Sequence, residues 1–473
     1  MKQIILIIAS LLFSTLFYDQ HLGLNLLLFS ILTIGLLYAF NHKSFQRRFL
    51  WFYSLAYLIT AILVFTIHSN LAVIANVVAF VTLVGAVSRQ KTAIYVNWIN
   101  GIYTSIAGLF HRNFEVDESQ NKVDWKKDID VLQWAKLIGI PLLFVILFIV
   151  LYKNGNPIFN EWVSKINFDF INLQWILFSI LGYYLLSNIS APISVEPVTS
   201  IDVSTSNTLS RPDSITELSS EEVEKQLKKE SHLGTTLIGL LNALILIFIV
   251  TDVLFLVSDD TSSASALSSQ VHNGINTLIA SIIVAIVIIL YVFRGNLNFY
   301  AKNGTLKHLT YLWIFLNIVL IVLIAIKNQN YITAFGLTYK RIGVHIYILM
   351  AFMGLVTTFM KVINVKNLLF LFRTNTQIAF VILMLCSAVN WDKIITIYNL
   401  KYANSYDIEY LISLSDQNAA PLHALKNTVT ISEDAKQRIT KKLERYIRRL
   451  NENNWQEYTA AHFKEDYKIP QRP

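Results

Sequence analysis

The sequence predicts an all-α, polytopic transmembrane helix bundle of about eleven spans, closed by a small helical soluble domain at its C-terminal end. Three observations lead there. Over 473 residues, 54% are hydrophobic and only 15% charged, with a mean hydropathy of +0.49, which is too apolar for an ordinary soluble chain. The apolar residues fall in runs close to the roughly 20 that a helix needs to cross a bilayer. The short loops between those runs alternate in Lys and Arg content, as expected of a chain oriented by the positive-inside bias.

The composition also excludes some classes. The one cysteine, Cys386, sits inside the apolar run TQIAFVILMLCSAVNW, so no internal disulfide can form and a zinc site built on thiolates is ruled out. The net charge of +8 reads as cytoplasmic loops facing anionic lipid, and no nucleic-acid partner is expected. Richness in Ile, Asn, Lys and Ser points to AT-rich coding and hence to a bacterial cytoplasmic (inner) membrane.

Residues 1–87 form the first membrane region, with spans expected near 4–18, 22–40, 49–67 and 71–87. The first run lacks a small-x-small cleavage site and is followed closely by a second, so it reads as an uncleaved span. The loop NHKSFQRR carries Lys43, Arg47 and Arg48, whereas the turns DQH and HSN carry no Lys or Arg, which places the N-terminus in the cytoplasm. Thr92 to Phe110 is apolar but interrupted by Asn97, Asn100, Gly101, Thr104 and Ser105. Were it to cross, the basic loops after Arg294 and Lys361 would move outside. Residues 88–136 therefore read as a cytoplasmic segment with interfacial helices.

Residues 137–192 supply a pair of spans near 137–152 and 174–190, joined by an outer loop containing NGNPIF. Residues 193–232 are Ser/Thr/Pro/Glu-rich at first, too polar to bury a core, and read as a cytoplasmic linker ending in a charged helix around SSEEVEKQLKKE. Residues 233–391 hold five spans, near 235–257, 275–293, 309–327, 342–361 and 375–391. The loops Ser258 to Asn276 and Asn328 to Arg341 then fall outside. Residues 392–473 read as an extracytoplasmic helical domain, whose long helix opens with a Thr430/Glu433 capping box. Its apolar face is expected from Ile439, Leu443, Ile447 and Leu450, with Lys436, Lys441, Lys442, Arg445, Arg448 and Arg449 lining the rest.

Asp252 and His345 lie roughly 9 and 6 Å below the expected outer surface at 1.5 Å per residue. Ionisable groups at such depth face a bundle interior or a wet cavity and need partners. With His272, Asn276 and Arg341 they make a candidate outer-face polar pocket. Gly336 and Thr338 form a loop motif beside it, the glycine permitting close approach and the threonine capping the next helix. Arg341 is suited either to an anionic ligand or to lipid phosphates. Packing alone could also account for Asp252 and His345.

No P-loop, dinucleotide fingerprint, nucleophile elbow or H-E-x-x-H spacing occurs, so neither a catalytic residue, a metal site nor a cofactor is expected. The adjacent pair Asp259 and Asp260 is the one paired candidate for a transferase acting on a lipid-linked substrate. Side by side on a chain, the two carboxylates would not face one another on a helix.

Four stretches resemble a known family: GNPIF (Gly155 to Phe159), QVHNGINTLIASI (Gln270 to Ile282), YITAFGLTYKRIGV (Tyr331 to Val344) and IYNLKYANSYDIEYLISLSDQNAAPLHAL (Ile397 to Leu425). That family is the uncharacterised bacterial membrane-protein family catalogued as domain of unknown function 4173, with its relative 4153. The resemblance implies a multi-pass membrane protein with no assigned reaction. In the topology above, all four motifs map to the outer face. The expected function is a non-enzymatic envelope, sensing or assembly protein that contacts membrane lipids and binds a protein or small ligand on its extracytoplasmic face. The alternatives are a secondary transporter of a small anionic or lipidic solute and the lipid-linked transferase.

Overall fold

The computed structural model describes residues 2–115, 140–165, 172–210, 220–257, 264–427 and 431–464. The first part comprises α1 (Lys2–Phe17), α2 (Leu24–Phe40), α3 (Arg48–Ile67), α4 (Asn70–Ser88) and α5 (Ile94–Glu115). After these come α6 (Ile140–Gly155), α7 (Pro157–Lys165), α8 (Leu173–Ser190) and α9 (Val198–Ser204). The second part comprises α10 (Ser220–Val257), α11 (Ala264–Val292), α12 (Gly304–Phe335), α13 (Tyr339–Ile363) and α14 (Leu368–Ser387). The C-terminal module is built from α15 (Trp391–Lys401), α16 (Ile408–Ser413), α17 (Ala419–Leu425) and α18 (Glu433–Glu452).

Among the described residues, every predicted apolar run falls on a helix. Eight of these helices, α3, α4, α8 and α10 to α14, are long and apolar enough to cross a membrane, while α1 and α2 are shorter apolar helices. The protein is thus an all-α polytopic bundle. Among the described residues, two large hydrophobic cores fill its helix groups. Leu37, Leu50, Tyr57, Leu83 and Leu186 belong to the first, built by α1 to α4 and α8; Ile238, Ile282, Ile289, Leu306 and Leu355 belong to the second, built by α10 to α13. Helix α14 joins them, packing on α3, α4 and α5 as well as on α13 and placing Phe380 in the first core.

The polar residues that interrupt α5 are its packing surface. Gly101 and Gly85 let α4 and α5 touch backbone to backbone, since a Cβ on them would sit 2.0 Å from the Val81 carbonyl oxygen and 1.9 Å from that of Asn97. Arg112 donates to the carbonyls of Ser187 (2.9 Å) and Ala191 (2.7 Å), filling acceptors left open at the end of α8. Both halves of α5 therefore engage one end of the bundle: the last turns of α4 and of α8.

The linker reading needs correction. Residues 193–210 are not an unstructured tether: they include α9, and Thr199 and Asp202 are buried, while 211–219 lie outside the described residues. Asp202 accepts from the Ala93 amide at 2.7 Å, the Tyr95 hydroxyl at 2.9 Å and Arg373 Nε at 2.9 Å. Order is imposed by these distant partners, which local composition does not reveal. The second half conforms more closely, since the charged SSEEVEKQLKKE continues directly into α10.

Three boundaries also move. The predicted outer loop Asn328 to Arg341 shrinks to Gly336–Thr338, because α12 runs on to Phe335 through polar residues. The loop from Ser258 gives way to helix at Ala264. Helix α18 is capped by Ser432, whose hydroxyl accepts from the Ala435 amide at 3.2 Å; Thr430 lies outside the described residues. The buried face of α18 is Ala435, Ile439, Lys442, Tyr446 and Leu450, so Lys442 points inward and does not belong to the solvated face.

The C-terminal module lies across one end of the bundle. Asn399 clasps Leu337, accepting from its amide at 2.5 Å and donating to its carbonyl at 2.9 Å. The Tyr339 hydroxyl donates to Asp392 Oδ1 at 2.6 Å. Further along the chain, the Leu24 amide donates to the Tyr458 carbonyl at 2.8 Å, and the His21 amide to Glu457 Oε1 at 2.8 Å. The module therefore braces the α1–α2 and α12–α13 turns together.

Candidate functional site

The α12–α13 turn is shaped by Gly336, whose φ of +80° lies where side chains are rarely tolerated. A Cβ there would meet Asn399 Oδ1 at 2.7 Å. Thr338 then caps α13, its hydroxyl accepting from the Arg341 amide at 3.3 Å. The Arg341 guanidinium folds back over the Tyr331 ring, 4.1 Å from its centroid, and donates through Nη1 to the carbonyls of Phe335 (2.8 Å) and Gly336. These carbonyls terminate α12, where a cation is favoured.

Beside this turn a cleft of about 1010 Å³ opens between α11 and α13, roofed by α15 and α16. Its apolar wall includes Ile279, Ala280 and Ile283 of α11 and Val344 and Tyr347 of α13. Its polar rim is made by Lys340 and Arg341, Asn399, Asp407 and Tyr410. Burial pushes the Tyr410 phenol above its usual pKa, with the Asp392 charge adding to the shift and Arg341 opposing it. The hydroxyl therefore stays protonated at neutral pH, and it accepts from the Tyr339 amide at 3.0 Å.

Gly343 also lines this cleft, and a Cβ built on it would have nothing within 4 Å. A glycine inside a helix costs about 1 kcal/mol relative to alanine. No neighbour requires Gly343; what its missing side chain leaves is space in the cleft.

The sequence-predicted pocket residues separate. Arg341 and Asn276 line the cleft, as does Thr338 of the neighbouring loop motif. His345 stands next to it, its Nδ1 accepting from Asn328 Nδ2 at 2.7 Å, while the same Nδ2 is 3.0 Å from the Arg341 carbonyl. Asn328 lines the cleft, fully buried, and its Oδ1 has no partner. Asp252 does not line the cleft: it is buried in an ion pair with Lys327, between α10 and α12, and its Oδ2 has no partner. Lys327 was readable in the run IAIKNQN as a lysine at the end of a span. Asp252 stands apart from the other expected pocket residues because Lys327 of α12 holds it between α10 and α12. His272 falls in the first turns of α11, with its side chain outside the described residues, as are Asp259 and Asp260.

Sequence reasoning missed the buried polar hub above the cleft. Asp392 accepts from Tyr339 and Ser415, and inside the module Lys442 of α18 donates to the carbonyls of Ile412 (2.9 Å) and Leu414 (2.6 Å). Burial lowers the Lys442 pKa to about 8, against the attraction of Asp416 and Asp392. The signal was its place on the apolar face, three residues after Ile439 and four before Tyr446. Among the described residues, no group of three or more His, Cys, Asp or Glu is placed to hold a metal ion.

Fold and cleft together define a polytopic helical membrane protein with a pocket that is apolar along its walls and charged at its rim. Residues 5–425 match the family model described as domain of unknown function DUF4153, and the chain belongs to that family. This is the second of the two families that the motifs suggested, and its match extends well N-terminal of them. No curated protein and no solved structure matches the chain. Three of the four motifs meet at the cleft, supplying Asn276, the Gly336–Arg341 turn and the Asn399–Tyr410 roof, whereas in GNPIF the Asn156 side chain accepts from the Ile158 and Phe159 amides to open α7.

Proposed function

We propose that this is a non-enzymatic protein of a bacterial cytoplasmic membrane that holds a lipid-like amphiphile in the α11–α13 cleft and presents it to the C-terminal module on the extracytoplasmic face. The observation that carries the reading is the cleft itself: membrane helices supply apolar walls, a polar rim stands at their end, and Gly343 leaves volume where packing calls for none. An acyl chain suits the walls, and a polar headgroup suits the rim. The orientation rests on the positive-inside bias. Lys43, Arg47, Arg89, Lys91, Arg294, Lys302, Lys366 and Arg373 lie in or beside the turns at the end opposite the module, which that bias makes cytoplasmic.

The test is Gly343→Phe. The new ring enters open space, so the helix keeps its fold while the cleft is filled. Native mass spectrometry of the purified protein should show phospholipid retained by the wild type and lost from the variant. Equal retention by both would remove the cleft as the site.

A transporter remains the second reading because of one observation, the buried Asp252–Lys327 pair with its unpartnered carboxylate oxygen. Intramembrane ion pairs mark substrate or proton paths in many membrane proteins. Solute uptake abolished by Asp252→Asn at unchanged protein level would favour it, and unaltered uptake would discard it.

A further inference from the structure

The rim of the cleft carries both signs of charge. Lys340 and Arg341 stand on the first turn of α13, and Asp407 precedes α16. Asp407 spends one carboxylate oxygen on the Tyr410 amide, at 3.1 Å, and its other oxygen has no partner among the described residues. Lys340 is exposed and makes no ion pair among them.

We infer that the cleft selects a zwitterionic phospholipid with an ethanolamine headgroup, its phosphate on Lys340 and Arg341 and its ammonium on Asp407. The inference rests on the reading of the cleft as a lipid site and adds the chemistry of the headgroup. A purely anionic headgroup would satisfy the two cations but set its negative charge beside the Asp407 carboxylate with nothing to offset it. An ammonium satisfies that carboxylate with a charge-assisted hydrogen bond. Arg341 has two of its five N–H donors on the nitrogen that binds the α12 carbonyls, which leaves Nε and Nη2 for a phosphate.

The experiment titrates full-length wild type and Asp407→Asn in detergent with phosphatidylethanolamine and phosphatidylglycerol of equal chain length, read by native mass spectrometry. Asparagine caps a helix as well as aspartate, so this variant keeps the Tyr410 hydrogen bond and removes only the charge. Exposed ion pairs contribute up to about 1 kcal/mol, so the wild type should prefer the ethanolamine lipid by about threefold to fivefold, and Asp407→Asn should bind the two lipids alike. Equal or stronger binding of the glycerol lipid by the wild type overturns the inference, as does an undiminished preference in Asp407→Asn. Soluble glycerophosphoethanolamine should not displace the lipid at matched concentration; if it does, the ligand is a free headgroup and the lipid assignment fails. A Gly343→Phe control separates the two levels. If it binds both lipids as the wild type does, the cleft reading itself fails, whatever the headgroup preference.

Discussion

At Gly336 and Arg341 single residues shape the α12–α13 turn. Gly336→Ala would force a Cβ into a left-handed backbone and against Asn399, which clasps the same turn. Such strain costs of order 1–3 kcal/mol. The expected result is a lower thermal midpoint in detergent and faster hydrogen exchange over residues 333–340; unchanged exchange would contradict this account of the turn. Arg341→Lys keeps the charge but loses the planar stack on Tyr331 and the placement of Nη1 against two carbonyls. A loss of roughly 1 kcal/mol is expected. In contrast, Gly343→Ala should gain about 0.5–1 kcal/mol, because that position pays glycine's helix penalty with no packing reason. A destabilised Gly343→Ala would show that something does occupy that space in the folded chain.

Helix α18 places a lysine on its buried face, and this ties the stability of the module to pH. The unfolded Lys442 has an ordinary lysine pKa near 10.4, whereas burial holds the folded one at about 8. Between those values the unfolded state binds more protons, so stability rises as pH climbs from about 8 towards 10.4 and is lost as pH falls back through 8. Hydrogen exchange of the module should slow over that range in the wild type relative to Lys442→Met, which lacks the titrating group. Parallel pH profiles for the two proteins would contradict the assignment. The same helix shows what was legible in the sequence. Its existence and its amphipathic character follow from apolar spacing, but the exact face does not, because Lys442 and Tyr446 take inward positions that polarity alone assigns to solvent. Likewise the apolar runs announce α1 to α4 and α10 to α14, yet α12 and α10 extend beyond their apolar cores, since a helix continues for as long as its backbone bonds are met. Helix α9 was hidden for the opposite reason: its order comes from Asp202 meeting Ala93, Tyr95 and Arg373, partners more than a hundred residues away in sequence.

For the whole molecule, α14 and the C-terminal module tie two helix groups with separate cores into one body. The module touches the turns of both groups at one end, while Asp202, Arg373 and Asn367 fasten α9 to the α13–α14 loop at the other, where Asn367 Nδ2 donates to the Ser206 carbonyl at 2.6 Å. A cleft beneath such a brace can pass its occupancy to the module through the turn they share, because Tyr339 borders the cleft and donates to Asp392. The candidate site was legible in part. Arg341, Asn276 and Thr338 emerged from their place near the ends of apolar runs, but Asp252 did not belong with them, and Asp407 and Gly343 carried no local signal.

The most direct test of the central claim is an experimental density map of the protein in lipid nanodiscs. The account predicts an elongated density between α11 and α13, ending in a compact feature against Lys340 and Arg341. A cleft closed by its own side chains, or one without elongated density in membranes of mixed phospholipid, would contradict it.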